Sequence, residues 1–255
     1  MTNSASAHKE IQFEDEICIF MQSAGWAVEK SPIGYDRTLA LYPEKTLEFI
    51  QKTQAKEWEK YAQSYGASAQ QQFIKRLIEQ LDSKGSLHIL RHGLKDRGAN
   101  FQLCYFKPNT SLNAEAEKLY QDNSLTLVRQ LHYSTSNENS IDLVMFINGI
   151  PTATAELKTD LTQSVSDAIW QYKNDRQPKD PKTKKPEVLL QFKARALVHF
   201  AVSSDEVFMT TKLAGKDSFF LPFNLGHNSG KGNPPNPKGY KTSYLWEKVW
   251  HKDNW

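Results

Sequence analysis

The chain has 255 residues and a formal net charge of +3, with 39% hydrophobic and 24% charged residues, as expected of a soluble globular protein with one large domain. No apolar run approaches the roughly 20 residues that span a bilayer, and the polar, then acidic N-terminus is unlike a signal peptide. Cys18 and Cys104 lie far apart in apolar contexts, which favours free thiols in a reducing cytosol. We therefore expect a cytoplasmic protein with no membrane partner.

Hydrophobic periodicity divides the chain into alternating helices and strands, which favours an α/β fold with a mixed sheet flanked by helices. Helices are predicted over residues 13–25, 44–65, 67–82, 112–121, 164–175 and 244–250. Strands are predicted over residues 87–90, 101–106, 125–133, 141–147, 151–157, 196–202 and 206–211. The polar-faced helices at about residues 44–83 are interpreted as a helical insertion that covers the sheet.

The most informative stretch is residues 140–158, where an Asn-Gly pair separates two apolar runs and predicts a β-hairpin. Both runs carry charge that a core strand would avoid. Asp142 begins the first run, and Glu156 and Lys158 end the second. Side chains alternate along a strand, so the glutamate and the lysine are predicted to point to one side and Leu157 to the other. The hairpin can bring the aspartate near that pair.

Two carboxylates and a lysine at one end of a sheet can hold a divalent cation and position a water molecule. Mg²⁺ prefers hard oxygen ligands and leaves coordination positions for water and phosphate. The ion lowers the pKa of bound water, and a lysine beside that water can stabilise developing negative charge. The spacing D-x13-E-x-K follows the PD-(D/E)xK nuclease pattern, with Ile141 where a proline would stand. The alternative is three surface residues at strand ends, because this pattern also occurs by chance.

Two further residues are candidates for the same site. Gln171, on the helix after the second run, can reach back to hydrogen-bond the attacking water or a DNA phosphate. Glu14, on the first predicted helix, can complete the metal shell. An acid in the first turn of a helix also suits the helix dipole, which is the simpler interpretation of Glu14.

Residues 173–195 contain eight basic and three acidic residues. This excess predicts a surface that contacts DNA phosphates, with a solvated, proline-broken loop as the alternative. The candidate DNA-binding residues are Lys173, Arg176, Lys179, Lys193 and Arg195.

The glycine-rich stretch near residue 230 is not a Walker A motif, since Leu225 and Gly232 stand where glycine and serine or threonine are needed. No ATP site is predicted in this chain.

Several stretches in the same order resemble a known family: SIDLVMFINGIPTATAELK, DAIWQYKNDRQP, ALVHFAVSSDEVFMTTKLAG and FFLPFNLG. The chain resembles the N-terminal part of the restriction (R, HsdR) subunit of type I restriction–modification enzymes. The resemblance implies a restriction-endonuclease-like core over residues 1–225. Residues 226–255 would then form a Gly/Pro-rich linker and the start of a connection to motor domains that are absent here.

The family implies a Mg²⁺-dependent endonuclease that cuts double-stranded DNA when coupled to ATP-driven translocation. ATP would act only in the absent motor domains, and the partners would be the methylation (M) and specificity (S) subunits. Asp142, Glu156, Lys158 and Gln171 match the family's catalytic positions, but Asp175 stands where the family's glutamine motif has a tyrosine. Two other interpretations stay open. One is a non-catalytic DNA-binding or docking module, and the other is a free-standing nuclease of the same fold.

Overall fold

A computed structural model describes residues 2–110, 112–159 and 164–255. The helices are α1 (Thr2–Ser23), α2 (Pro43–Thr53), α3 (Ala55–Tyr65), α4 (Ala69–Lys84), α5 (Ser86–His92), α6 (Ala114–Gln121) and α7 (Val165–Asn174). The strands are β1 (Ala27–Glu29), β2 (Leu94–Asp96), β3 (Ala99–Phe101), β4 (Leu125–His132), β5 (Ser140–Ile147), β6 (Ile150–Leu157), β7 (Val198–Val202), β8 (Val207–Thr210) and β9 (Leu221–Pro222). A π-helical turn, Leu245–Val249, follows the last strand.

Seven strands form one mixed sheet in the order β1-β4-β5-β6-β7-β8-β9, and β2 pairs with β3 in a separate hairpin. The pairs β1–β4 and β6–β7 are parallel, and the other neighbours in the large sheet are antiparallel. Parallel neighbours need a crossover connection, and α7 lies in the connection from β6 to β7. The predicted α/β class with a mixed sheet is confirmed.

Hydrophobic cores cover both faces of the large sheet. On one face, α1 buries Phe13, Ile17 and Met21 together with Trp246 and Trp250 from the C-terminal segment. On the other face, α7 packs with the segment before β7. The stretch predicted as a linker, residues 226–255, therefore contributes its C-terminal part to the main core. The domain boundary at residue 225 remains a prediction.

Helices α2–α5 and the β2–β3 hairpin surround a third core, which includes Phe73, Leu77 and Leu81. The helix predicted over residues 44–65 is divided at Gln54. The side-chain amide of Gln54 accepts a hydrogen bond from the backbone N of Gln102 (2.7 Å) and donates one to its carbonyl (2.9 Å). The Gln54 amide thus ties this helical region to the strand hairpin.

Two predicted strands are wrong. Residues 87–90 lie in α5, where Ser86, Ile89 and Leu90 are buried while Leu87 and His88 are exposed. This i, i+3, i+4 spacing is that of one helix face, and the short apolar run concealed it. The strand predicted over residues 101–106 is also wrong beyond its first residue, since β3 ends there.

Candidate functional site

The strands β5 and β6 separate at the end of the hairpin that is opposite the turn. They pair as far as Leu143 and Ala155, and beyond this point β6 pairs only with β7. Asp142 lies in the gap, and its Oδ2 accepts a hydrogen bond from the backbone N of Leu157 at 2.7 Å. Because the β5–β6 ladder has ended here, the Asp142 carboxylate accepts the hydrogen bond from this backbone N–H group in place of a strand carbonyl. The predicted first acid therefore lies directly against the peptide that joins Glu156 to Leu157.

Glu156 is completely buried at this position. Its Oε1 accepts a hydrogen bond from Nε of Arg176 at 2.7 Å, and its Oε2 has no hydrogen-bond partner among the described residues. Burial raises the pKa of Glu156 well above its usual range, and the charge of Asp142 raises it further, whereas Arg176 and Lys158 oppose the shift. The two acids thus lie close enough to repel each other.

Lys158 directly follows β6 and is nearly buried. Its backbone N donates to the carbonyl of Val202 (2.9 Å), which continues the parallel register with β7. Its ammonium group forms an ion pair with Glu10 of α1, at 2.8 Å between Nζ and Oε1. Its charge opposes the rise in the pKa of Glu156, and its predicted catalytic role remains a prediction. Its pairing with Glu10 has no local sequence signal.

Glu14 is buried near the two predicted ligands but is engaged by other side chains. It pairs with Arg129 and accepts a hydrogen bond from Nε2 of Gln130 at 3.0 Å. Burial is the largest cause that raises its pKa, and Arg129 opposes the shift. The same Gln130 amide donates to Oδ1 of Asp142 at 3.1 Å. In this structure Glu14 is thus connected to Asp142 through an amide, and its predicted role as a metal ligand remains a prediction.

Gln130 is the residue of the site that the sequence did not indicate. It lies within β4 but has a φ of +46°, which is uncommon for a residue other than glycine. Val128 and Leu131 consequently face the same core, although strict alternation would place them on opposite faces. The interruption leaves the Gln130 side chain between Glu14 and Asp142. A positive φ beside a candidate site is a local strain of the kind that active sites retain.

Gln171 lies on α7, and its Oε1 is buried with no hydrogen-bond partner in the part of the chain that the structure describes. The helix begins with a capping box formed by Ser164 and Asp167. Tyr172 is fully buried and shares a 2.8 Å hydrogen bond with the hydroxyl of Thr154. Burial raises the pKa of Tyr172, and the charge of Glu156 adds to that shift. The face of α7 that carries Tyr172 therefore packs towards the site.

Asp175, where the family's glutamine motif has a tyrosine, is the exposed residue that ends α7. Its carbonyl oxygen accepts a hydrogen bond from the Asn139 side chain at 3.0 Å.

The candidate DNA-binding residues fall into two groups. Lys179 and Lys193 are exposed and Lys173 is partly exposed. Arg176 pairs with a buried acid of the site, and Arg195 is 1% exposed. The guanidinium groups of Arg176 and Arg195 are bound by the carboxylates of Glu156 and Asp82, and the predicted DNA contact of both arginines remains a prediction.

The donor set fits a hard divalent cation such as Mg²⁺. Asp142 and Glu156 supply carboxylate oxygens, and the buried Oε2 of Glu156 has no protein partner among the described residues. No group of three or more His, Cys, Asp or Glu side chains that could hold a metal occurs within those residues. Mg²⁺ commonly takes one or two protein carboxylates with water and phosphate in its other positions, so the predicted use of Asp142 and Glu156 is chemically possible and remains a prediction.

Comparison with known proteins adds independent information. The family model that describes the N terminus of the type I restriction enzyme R protein matches residues 10–218. The chain belongs to this family. The match covers the large sheet through β8, the helical region and all the predicted site residues, so a restriction-endonuclease-like fold is confirmed for the chain. No curated protein sequence matches the chain. Within the described residues, no helix is long and apolar enough to cross a membrane.

Proposed function

We propose that this N-terminal region of a type I restriction enzyme R subunit is its endonuclease, which hydrolyses phosphodiester bonds of double-stranded DNA with bound Mg²⁺. Asp142 and Glu156 would hold the ion. When bound, Mg²⁺ supplies a Lewis acid for the phosphate and lowers the pKa of its bound water. The observation that carries the proposal is the buried Glu156 carboxylate, which keeps one unpaired oxygen beside a second acid.

The remaining side chains position the reactants and balance charge. The Lys158 ammonium group would orient the attacking water and stabilise the negative charge that develops on the phosphate. The unpaired Oε1 of Gln171 can accept a hydrogen bond from that water. Arg176 neutralises part of the Glu156 charge, and Gln130 fixes the direction of the Asp142 carboxylate. Water would attack the phosphorus atom and lose a proton to solvent, the bond to the leaving sugar oxygen would break, and that oxygen would take up a proton from solvent.

The wider setting of the activity is also a proposal. The M and S subunits would recognise the DNA site, and ATP would be hydrolysed by motor domains outside this chain, in the bacterial or archaeal cytoplasm. Residues 1–225 would form the nuclease domain, and residues 226–255, although packed on its core, would lead towards the motor.

Cleavage and translocation assays on the assembled enzyme test the proposal. Asp142→Asn and Lys158→Ala should each abolish double-strand cleavage with ATP and Mg²⁺ present, while ATP-driven translocation continues. The matched controls Asp217→Asn and Lys216→Ala alter exposed residues of the same types and should leave cleavage unchanged. If both site variants still cut DNA, the nuclease proposal is wrong and a docking role is favoured.

A further inference from the structure

A groove lies between α5 and the strands β7 and β8 of the large sheet, away from the acids. Its volume is about 700 Å³, and its floor includes Val198 and Met209. Its charged lining is cationic, with Lys84, Arg91 and Lys193. A second depression of about 530 Å³ shares Lys84 and continues along α4 and α5. Neither depression has an acidic residue among its described lining residues, so the two form one positively charged surface.

The cations of this surface are largely uncompensated. Lys84, Arg91 and Lys193 are exposed, and none of them forms an ion pair within the described residues. The nearby Arg76 pairs with Glu79 on its own helix, and Asp82 is engaged by Arg195 instead. Unpaired positive charges side by side repel each other, and a polyanion would relieve that repulsion.

The segment that carries Lys193 is rigidly attached to the helices. The backbone N of Ser86 donates to the Lys193 carbonyl at 2.8 Å, and the Ser86 hydroxyl donates to the carbonyl of Ala194 at 2.9 Å. Buried Arg195 binds Asp82 at 2.8 Å. Lys193 itself has a φ of +68°, which these contacts maintain. Buried Arg195 therefore helps to fix the position of the exposed Lys193.

Phe192 adds an aromatic contact to the surface. Its side chain is 45% exposed, and the ammonium groups of Lys193 and Lys212 lie 5.2 and 5.6 Å from its ring centroid. An exposed ring beside two cations can pack on the sugar of a duplex backbone while the cations contact the phosphates. The apolar floor of the groove extends this contact.

The groove is separate from the candidate nuclease centre. It contacts Val198 and Phe200 of β7, which pack with the core on the α1 face of the sheet. Glu156 pairs with Ala201, whose side chain belongs to the core on the α7 face. Side chains alternate between faces along a strand, so the groove and the Glu156 side chain lie on opposite faces of the sheet. A ligand in the groove would therefore not occupy the position of the acids.

We propose that this cationic groove is a second DNA contact, which binds the phosphate backbone of the duplex away from the cleavage site. The inference rests on the proposed function only in that the polyanion is the DNA substrate. The groove would keep the duplex on the nuclease domain whether or not a metal ion is bound. Phosphate contacts position a duplex without reading its sequence, so the binding should be independent of sequence.

The test measures binding of a short DNA duplex to the whole chain in EDTA at several salt concentrations. The groove variant combines Lys84→Gln, Arg91→Gln and Lys193→Asn, since asparagine tolerates positive φ. Three lost phosphate contacts should reduce the salt slope of log K by about 2.7, at about 0.9 per contact. The matched control changes three exposed lysines elsewhere, with Lys56→Gln, Lys118→Gln and Lys238→Asn, and should keep the slope.

Two outcomes would overturn the inference. One is an unchanged slope in the groove variant, and the other is an equal loss in both triple variants. If DNA binding is unchanged but the groove variant no longer binds the M and S subunits, the surface takes an acidic protein partner instead. Thermal unfolding first checks that each variant folds. If the triple variant does not fold, Lys193→Asn alone replaces it, with an expected change in the salt slope of about 0.9. Asp142→Asn should bind with the wild-type slope, so loss of cleavage and loss of groove binding are distinguishable.

Discussion

The two ends of the β5–β6 hairpin are built in opposite ways. At the turn, the buried Asn148 side chain accepts from the backbone N of Ser124 at 2.7 Å and donates to the Leu103 carbonyl at 2.9 Å. At the other end, the Oε2 of Glu156 is buried without a partner among the described residues. Buried polar atoms are nearly always hydrogen-bonded, so an unpaired carboxylate oxygen beside a second acid is a candidate position for a cation.

This difference separates stability from function within one hairpin. Loss of Arg176 at one end or of Gly149 at the other should lower the free energy of unfolding, because each is matched to buried neighbours. Only the charged end should respond to a divalent cation, since a ligand stabilises a fold in proportion to its binding to the native state. Each prediction below tests that distinction, from the largest expected effect to the smallest.

Arg176→Ala should have the largest effect on stability. It leaves the buried Glu156 carboxylate without its guanidinium partner, and breaking a buried ion pair costs about 3–5 kcal/mol. Mg²⁺ should restore part of this loss, because the cation supplies positive charge at the same carboxylate. Urea denaturation with and without Mg²⁺ measures both effects. Identical destabilisation under the two conditions would contradict a cation at this end.

Gly149→Ala tests the turn end. The glycine has a φ of +82°, and an added Cβ would lie 2.5 Å from the Tyr42 carbonyl oxygen. Positive-φ strain and this backbone clash together should lower the free energy of unfolding by about 2–4 kcal/mol. Mg²⁺ should stabilise this variant only as much as it stabilises the unchanged chain. A selective rescue by Mg²⁺ would show that the two ends are not independent.

The pH dependence of Mg²⁺ binding is the next test. Burial, and then the charge of Asp142, raise the pKa of Glu156 above its usual 4.5. Between pH 4.5 and the raised pKa of Glu156, the folded chain binds more protons than the unfolded chain does. Without Mg²⁺, the free energy of unfolding should therefore fall as the pH rises through this window. Mg²⁺ requires the ionised carboxylate, so its affinity should rise over the same window, by up to about tenfold per pH unit. Asp142→Asn removes one cause of the shift and should move the stability window to lower pH. A flat affinity profile would contradict the account.

Gln130→Gly should have the smallest effect. Glycine adopts the positive φ without strain, so the change removes the amide that joins Glu14 and Asp142 but keeps the backbone conformation. Supporting residues of metal sites typically contribute 10- to 100-fold in affinity, and we expect about tenfold weaker Mg²⁺ binding. Gln121→Gly alters a glutamine on another element and serves as the control. Unchanged affinity in Gln130→Gly would limit this residue to a structural role.

The sequence predicted the hairpin, its charged end and the class of fold, because alternation, the Asn-Gly turn and the misplaced charges are all local signals. It did not predict Gln130, because a positive φ at glutamine within a strand has no signal in the pattern. The Glu10–Lys158 ion pair depends on how α1 packs on the sheet. The burial of Arg195 likewise depends on Asp82 of a distant helix. A count of charges along the chain could not distinguish such buried, ion-paired residues from exposed lysines.

Isothermal titration of the chain with Mg²⁺ tests the central claim most directly. Saturable binding should occur and should disappear in the double variant Asp142→Asn and Glu156→Gln. The control double variant Glu115→Gln and Asp217→Asn, which changes exposed acids, should bind as the unchanged chain does. Undiminished binding without the two site carboxylates, or no binding to the unchanged chain, would contradict the account.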